Sequence, residues 1–204
     1  MFRTTFLATL AAAVLVHAPL TAQQQPTLIT DLLGDAAQVE EKLVGLADAI
    51  PESAYGWRPG EGVRSVAELF KHVISDNYLI AGIPGAVPPA STGIDPKDYR
   101  TASAYEARTL TKAEIVAALK ASFEFFDGAA GATTAEKLAA GLQVFGSPMT
   151  QQQLWIMAVT HLHEHLGQGI AYARMNGVVP PWTADQQKKA KEKEQHQHDE
   201  QPKP

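Results

Sequence analysis

TQQQLWIMAVTHLHEHLGQGIAYARMNGVVPPW, running from Thr150 to Trp182, is the stretch whose reading decides the fold. Thr150 followed three residues later by Gln153 forms a capping box, and Asn176-Gly177 with Pro180 and Pro181 beyond is a stop signal, so a long helix lies between them. Three of the seven histidines, His161, His163 and His165, fall on it. At about 100° per residue His161 and His165 are neighbours on one face, where both imidazoles can reach one ion, and His163 points roughly 200° away. Leu154, Met157, Ala158, Glu164, Gln168 and Tyr172 lie within about 60° of His161, a mixed apolar and polar face suited to lining a pocket. Trp155, Val159, Leu162, Leu166 and Ala173 form a second stripe, so this is an inner helix of a bundle. Taken alone, the HxxxH pair reads either as two metal ligands or as hydrogen-bonded core histidines, and a third ligand from elsewhere in the chain decides between them.

Other helices follow by the same rules. Leu28 to Ile50 carries apolar residues at helical spacing and ends at Pro51. Tyr55 and Trp57, in the Pro- and Gly-rich loop beyond, are expected to plug a core end. Ser65 with Glu68 caps a second helix from Val66 to about Ala81. On it Val66, Leu69, Val73 and Ile80 form the apolar stripe, with His72 at its edge, able to reach across a bundle. Asp76, one turn on, has three readings: orienting a ligand, serving as a fourth ligand, or facing solvent, the last being the default. Residues 83–110 show no sustained periodicity and predict a long excursion over the mouth of a site. Thr111 and Glu114 cap a further amphipathic helix ending near Gly128, and Thr133 with Glu136 predicts one short helical turn. The only extended piece suggested is Leu142 to Phe145.

Composition narrows the function. With 204 residues, 45% hydrophobic and 19% charged, the chain is one ordinary globular domain. A net charge of −5 with no basic block argues against nucleic acid as a partner. No cysteine is present, which excludes disulfides, a thiol nucleophile and thiolate ligands. A transition-metal site here must use histidine, carboxylate and water, favouring a divalent ion with an open coordination position. Residues 1–22, with Arg3, an apolar run from Phe6 to Val16 and a small-residue end at Ala22, read as a signal peptide too short to span a bilayer. The expectation is an exported protein with no stable membrane span, whose domain covers residues 23–182. Residues 183–204 are nearly free of apolar side chains and are expected to be disordered, with His196 and His198 as weak metal scavengers at most.

Four long helices make an all-α bundle the natural architecture. His72 on the second and His161 and His165 on the fourth can then share one ion, leaving a position for water or substrate. At this point WRPGEGVRSVAELFKHV, HLHEHLGQGIAYARMNG and the ending GVVPPW, with HxxxH followed by a Gly-Gln pair, resemble the DinB-like (damage-inducible) superfamily of metal-binding four-helix bundles. The resemblance spans roughly residues 28–182. It implies a divalent ion, zinc or nickel, on His72, His161 and His165, and a homodimer. Two departures stand out: Leu166 follows His165 where family members often carry a basic residue, and His163 is an extra histidine facing away. Characterised relatives include S-transferases acting on cytoplasmic thiols, which are scarce outside the cell.

The leading expectation is a metal-dependent transferase or hydrolase acting on a small-molecule substrate, its catalytic residues unassigned. Gln168 and Tyr172 are candidate substrate contacts or packing residues, and Glu164 is a candidate base or a solvated side chain. The alternative is a non-catalytic exported metal-binding or stress-related bundle. A metal-free bundle remains a third reading, and it predicts that His72 does not face the other two histidines.

Overall fold

The computed structural model describes residues 27–199. The signal-like segment 1–22 and the last five residues lie outside them. Seven helices and one hairpin follow in order: α1 (Leu28–Ala49), α2 (Val66–Gly82), α3 (Arg100–Glu106), α4 (Lys112–Gly131), α5 (Ala135–Leu138), β1 (Gly141–Val144), β2 (Ser147–Thr150), α6 (Gln151–Met175) and α7 (Pro181–Asp199). All three capping boxes read from the sequence close, each with reciprocal side-chain to backbone bonds. A fourth, Thr27 with Thr30, opens α1. Each satisfies two otherwise orphaned N–H groups, which is why these starts are legible residue by residue.

Helices α1, α2, α4 and α6 make the bundle. α1 packs on α4 and α6, and α2 packs on the same two, so α1 and α2 lie diagonally opposite. Direction follows from the contacts. The Tyr172 hydroxyl near the end of α6 donates to the Arg64 carbonyl just before α2, so these two helices are antiparallel. Asp35 meets His163 and Leu46 meets Gly169, so α1 and α6 are parallel. Lys112 at the start of α4 donates to the Asp48 and Ile50 carbonyls at the end of α1. The bundle is therefore up-down-down-up, and the parallel pair α2 and α4 requires a crossover running back along their length. Residues 83–111 are that crossover.

The crossover is more ordered than its composition suggests. It carries α3, which packs against α2. Lys71 Nζ donates to the Arg108 carbonyl at 2.8 Å, and Arg108 donates to the Ser91 and Thr92 carbonyls at 3.1 and 2.6 Å. At its start, a Cβ on Gly82 would lie 2.2 Å from Pro96 Cγ, so only glycine allows this close return. Between α5 and α6 the brief extended piece expected at Leu142–Phe145 is one arm of a hairpin. Its partner strand 147–150, with Pro148 inside it, gave no strand signal. The two-residue turn has both Phe145 (φ 51°) and Gly146 (φ 84°) left-handed.

The core is apolar and continuous across the four helices, with Leu43, Leu46, Leu69, Phe70, Phe123 and Trp155 fully buried. Tyr55 is buried, its hydroxyl donating to the Ala47 carbonyl at 2.6 Å, and Trp57 packs edge-on to Tyr172, so both aromatics plug the bundle end as expected. Past Trp182 the polar tail adds nothing to the core, in keeping with its composition, and continues as α7 to Asp199. Ala, Lys, Glu and Gln are strong helix formers, so α7 extends although it has no apolar face. Its first residues touch the bundle, with Pro181 beside Gly45 of α1. Among the described residues no helix is long and apolar enough to cross a membrane.

Candidate metal centre

Because α2 and α6 are antiparallel neighbours, His72 meets His161 and His165 across their contact. The ring centroids are 5.3 Å apart for His72–His161, 4.6 Å for His72–His165 and 4.3 Å for His161–His165, each pair nearly perpendicular. One nitrogen from each of the three lies within 4.8 Å of the others. His72 therefore faces the other two, against the expectation of a metal-free bundle. His163 points out to α1, its Nε2 2.9 Å from Asp35 Oδ2, as the helical-face argument requires.

His165 fixes its own tautomer through a chain of bonds. The Arg64 carbonyl can only accept, so the Tyr172 hydroxyl donates its single proton there, at 2.9 Å. That hydroxyl must then accept from the Gln168 amide, 2.7 Å away. The Gln168 carbonyl oxygen is left to accept from His165 Nδ1 at 3.1 Å. His165 thus carries its proton on Nδ1, and Nε2 presents a bare lone pair. That Nε2 is buried with no hydrogen-bond partner, one of two such side-chain atoms among the described residues, the other being Asp127 Oδ1 on α4. An unpartnered buried acceptor costs about 1–3 kcal/mol. Here it is offset if the lone pair has a cation to bind, so the donor set fits a divalent metal.

His72 is oriented from its other side. Its Nδ1 lies 2.8 Å from Glu106 Oε1, and a carboxylate can only accept, so the proton sits on Nδ1 and Nε2 is turned toward the cluster. Burial pushes the Glu106 carboxyl up, but the hydrogen bond and charge of His72, with the charge of Arg64, outweigh it and hold Glu106 below the ordinary carboxylate value. Asp76 does not face solvent. Its Oδ2 lies 2.8 Å from His161 Nε2 and 3.5 Å from His72 Nε2, within the cluster. Its side chain is mostly covered, 17% exposed, because α2 and α6 pack together at that turn. Glu164 is exposed, and Gln168 and Tyr172 hold the relay.

Glu106 and Arg64 had no role in the sequence reading. Glu106 ends a seven-residue helix with no side-chain cap, inside a segment without periodicity. Arg64 sits one residue before the Ser65 cap, where local rules assign it nothing.

Burial, with the charges of His161 and His72, pushes His165 down to about 4. The unfolded chain takes up this proton near the ordinary value of 6.5, the folded chain only near 4. Between those values the unfolded state binds more protons, so stability is full above pH 6.5 and is lost as pH falls toward 4. The loss amounts to about 3 kcal/mol in the metal-free protein. Urea midpoints of wild type and His165→Gln at pH 7 and pH 4.5 check this; equal pH dependence in the two would refute it.

A cavity of about 730 Å³ lies elsewhere. It opens between the start of the crossover and the hairpin tip, lined by Ile83, Val87, Ile94, Tyr99 and Phe145, and holds no histidine.

An up-down-down-up bundle with a histidine-rich centre between its second and last long helices defines the class, and comparison with known proteins makes it specific. Residues 36–168 match the model of the DinB superfamily, and the chain belongs to that family. A DinB-like protein from Bacillus cereus ATCC 10987 shares the fold at TM-score 0.60 and 17% identity, over 74% of this chain and 93% of that one. A DinB-like protein from Bacillus subtilis does so at 0.57 and 21%, over 73% and 93%. No curated protein matches the chain.

Proposed function

We propose that this chain is an exported DinB-like protein that holds one divalent ion, zinc or nickel, on His72, His161 and His165, and acts as a metal-dependent transferase or hydrolase on a small molecule. The observation that carries this is the bare Nε2 of His165, buried and aimed by a relay of three hydrogen bonds. Export is proposed from residues 1–22, and a homodimer from the family resemblance. A divalent ion would supply Lewis acidity to a bound thiol or water. The chain supplies the rest. Gln168 and Glu106 orient two ligand rings, and the Asp76 carboxylate, beside His161, is placed to accept the proton that a thiol or water bound at the centre would release.

The same Asp76 favours the second reading, a non-catalytic metal-binding bundle. As a fourth protein ligand it would close the coordination sphere. Elemental analysis of protein ending at Trp182, which removes the histidine-bearing tail, tests metal binding. About one divalent ion per chain is expected, and none after zinc, nickel and manganese have each been offered would refute it. The cobalt(II) absorption spectrum separates the two readings: five- or six-coordinate cobalt supports an open, catalytic centre, and intense four-coordinate bands that Asp76→Asn alters support the closed one.

A further inference from the structure

Arg64 stands beside the Nδ1 edge of the His72 ring, next to Glu106, with little to hold its guanidinium. Its Nε is 3.5 Å from Glu106 Oε2, an ion pair longer than an ordinary hydrogen bond. Its Nη2 is 3.2 Å from His72 Nδ1, but that nitrogen already gives its proton to Glu106 and has no lone pair to offer. Among the described residues no oxygen accepts from the Arg64 fork at ordinary hydrogen-bond length. The Arg64 side chain is 41% exposed, against 13% for His72 and 24% for His161, so the fork is reachable from solvent where the ligand rings are mostly covered.

Its backbone, in contrast, is fixed. The Arg64 carbonyl accepts from Tyr172, and the next residue, Ser65, closes the capping box of α2. The guanidinium therefore springs from a rigid point beside the ring of a ligand histidine. Charge favours an anion as its partner. Asp76, Glu106 and Arg64 together leave one net negative charge, so a divalent ion makes the centre net cationic. A guanidinium fork suits the two oxygens of a carboxylate or a phosphate.

We propose that Arg64 anchors the anionic group of a small molecule bound at this centre, so that the substrate class is a carboxylate or phosphate monoester rather than a neutral compound. The inference rests on the metal reading above and names the specificity of the same site. Arg64 is a binding residue here, distinct from the ligands and from Glu106, which orients His72.

The test uses the full chain loaded with cobalt(II) and titrated, by visible absorption, with acetate and separately with inorganic phosphate. Wild type is expected to show a saturable spectral change with at least one of them. In Arg64→Gln the midpoint should move up roughly tenfold or more, the loss expected of a charge-assisted hydrogen bond, at unchanged cobalt content. Arg64→Lys, which keeps the charge and loses the fork, should fall between the two. Arg58→Gln, altering an exposed arginine already paired with Glu68 at 3.1 Å, should behave as wild type. A fully loaded Arg64→Gln with wild-type anion affinity would show that Arg64 only balances Glu106 and overturn the inference alone, as would a loaded wild type indifferent to both anions. A wild type that takes up no cobalt would overturn the metal reading and this inference with it.

Discussion

His165→Ala is expected to weaken binding of a divalent ion by about 100-fold or more, while His163→Ala leaves it unchanged. Structural zinc sites with four protein ligands gain about 10–16 kcal/mol, so each ligand contributes about 3 kcal/mol, or roughly two orders of magnitude. His165 should reach at least that, because its Nε2 arrives dehydrated and already in the metallating tautomer. His163 is two residues away in sequence but on the far side of α6, against Asp35. Metal at 100 times its dissociation constant should stabilise wild type by about 2.7 kcal/mol. In a domain of this size that corresponds to roughly 5–10 °C in Tm. The shift should persist in His163→Ala and fall to about 1 °C or less in His165→Ala at the same metal concentration. Calorimetric titration with zinc, alongside thermal melts, measures both. If His165→Ala retains the wild-type shift, the ion sits elsewhere; if His163→Ala loses it, the ligand face has been assigned to the wrong side of the helix.

What the sequence disclosed and what it withheld divide along a physical line. Helix starts were legible because a capping box is a local device, in which a side chain three residues away satisfies a backbone N–H, and Ser65, Thr111 and Thr150 carry it in the residues themselves. The pairing of His161 with His165, and the exile of His163, were legible because helical geometry is fixed at 3.6 residues per turn. That His72 meets them needed only two facing helices. Three other features depend on topology, which periodicity does not encode. Asp76 reads as solvent-facing on α2 alone and becomes part of the centre only because α6 packs over that turn. Glu106 reaches His72 because parallel α2 and α4 force the chain to return along the bundle, and the return path places α3 beside α2. The role of Arg64 likewise appears only once Tyr172 and Glu106 arrive from distant parts of the chain. The tail is the opposite case: low hydrophobicity predicted no packed structure, and beyond its first residues at α1 the strong helix formers of α7 stay exposed.

Tyr172→Phe is expected to weaken metal binding by about 10- to 100-fold without touching a ligand, the range typical of residues that orient metal-bound histidines. The hydroxyl is what gives the relay its direction. Tyr172 must donate to the Arg64 carbonyl, so its oxygen demands an N–H from Gln168, and that demand turns the Gln168 carbonyl toward His165. Remove the hydroxyl and the Gln168 amide can flip, offering its NH₂ group to His165 Nδ1. His165 would then carry its proton on Nε2, where it blocks the lone pair that faces the cluster. The cost in affinity is the free energy of restoring the metallating tautomer at each binding event. A structural role for Tyr172 alone, through its edge-on contact with Trp57 at 5.4 Å, survives in phenylalanine and predicts no such change. Nitrogen-15 NMR of the metal-free protein separates the two accounts. Wild type should show His165 protonated on Nδ1, and Tyr172→Phe should show a mixture or the Nε2 form. Gln168→Glu, which can accept from His165 but cannot offer the flipped NH₂, should keep the Nδ1 tautomer even when combined with Tyr172→Phe, and should recover part of the lost affinity. An unchanged His165 tautomer in Tyr172→Phe, together with wild-type affinity, would show that the relay does not set the ligand and that His165 holds its orientation by packing.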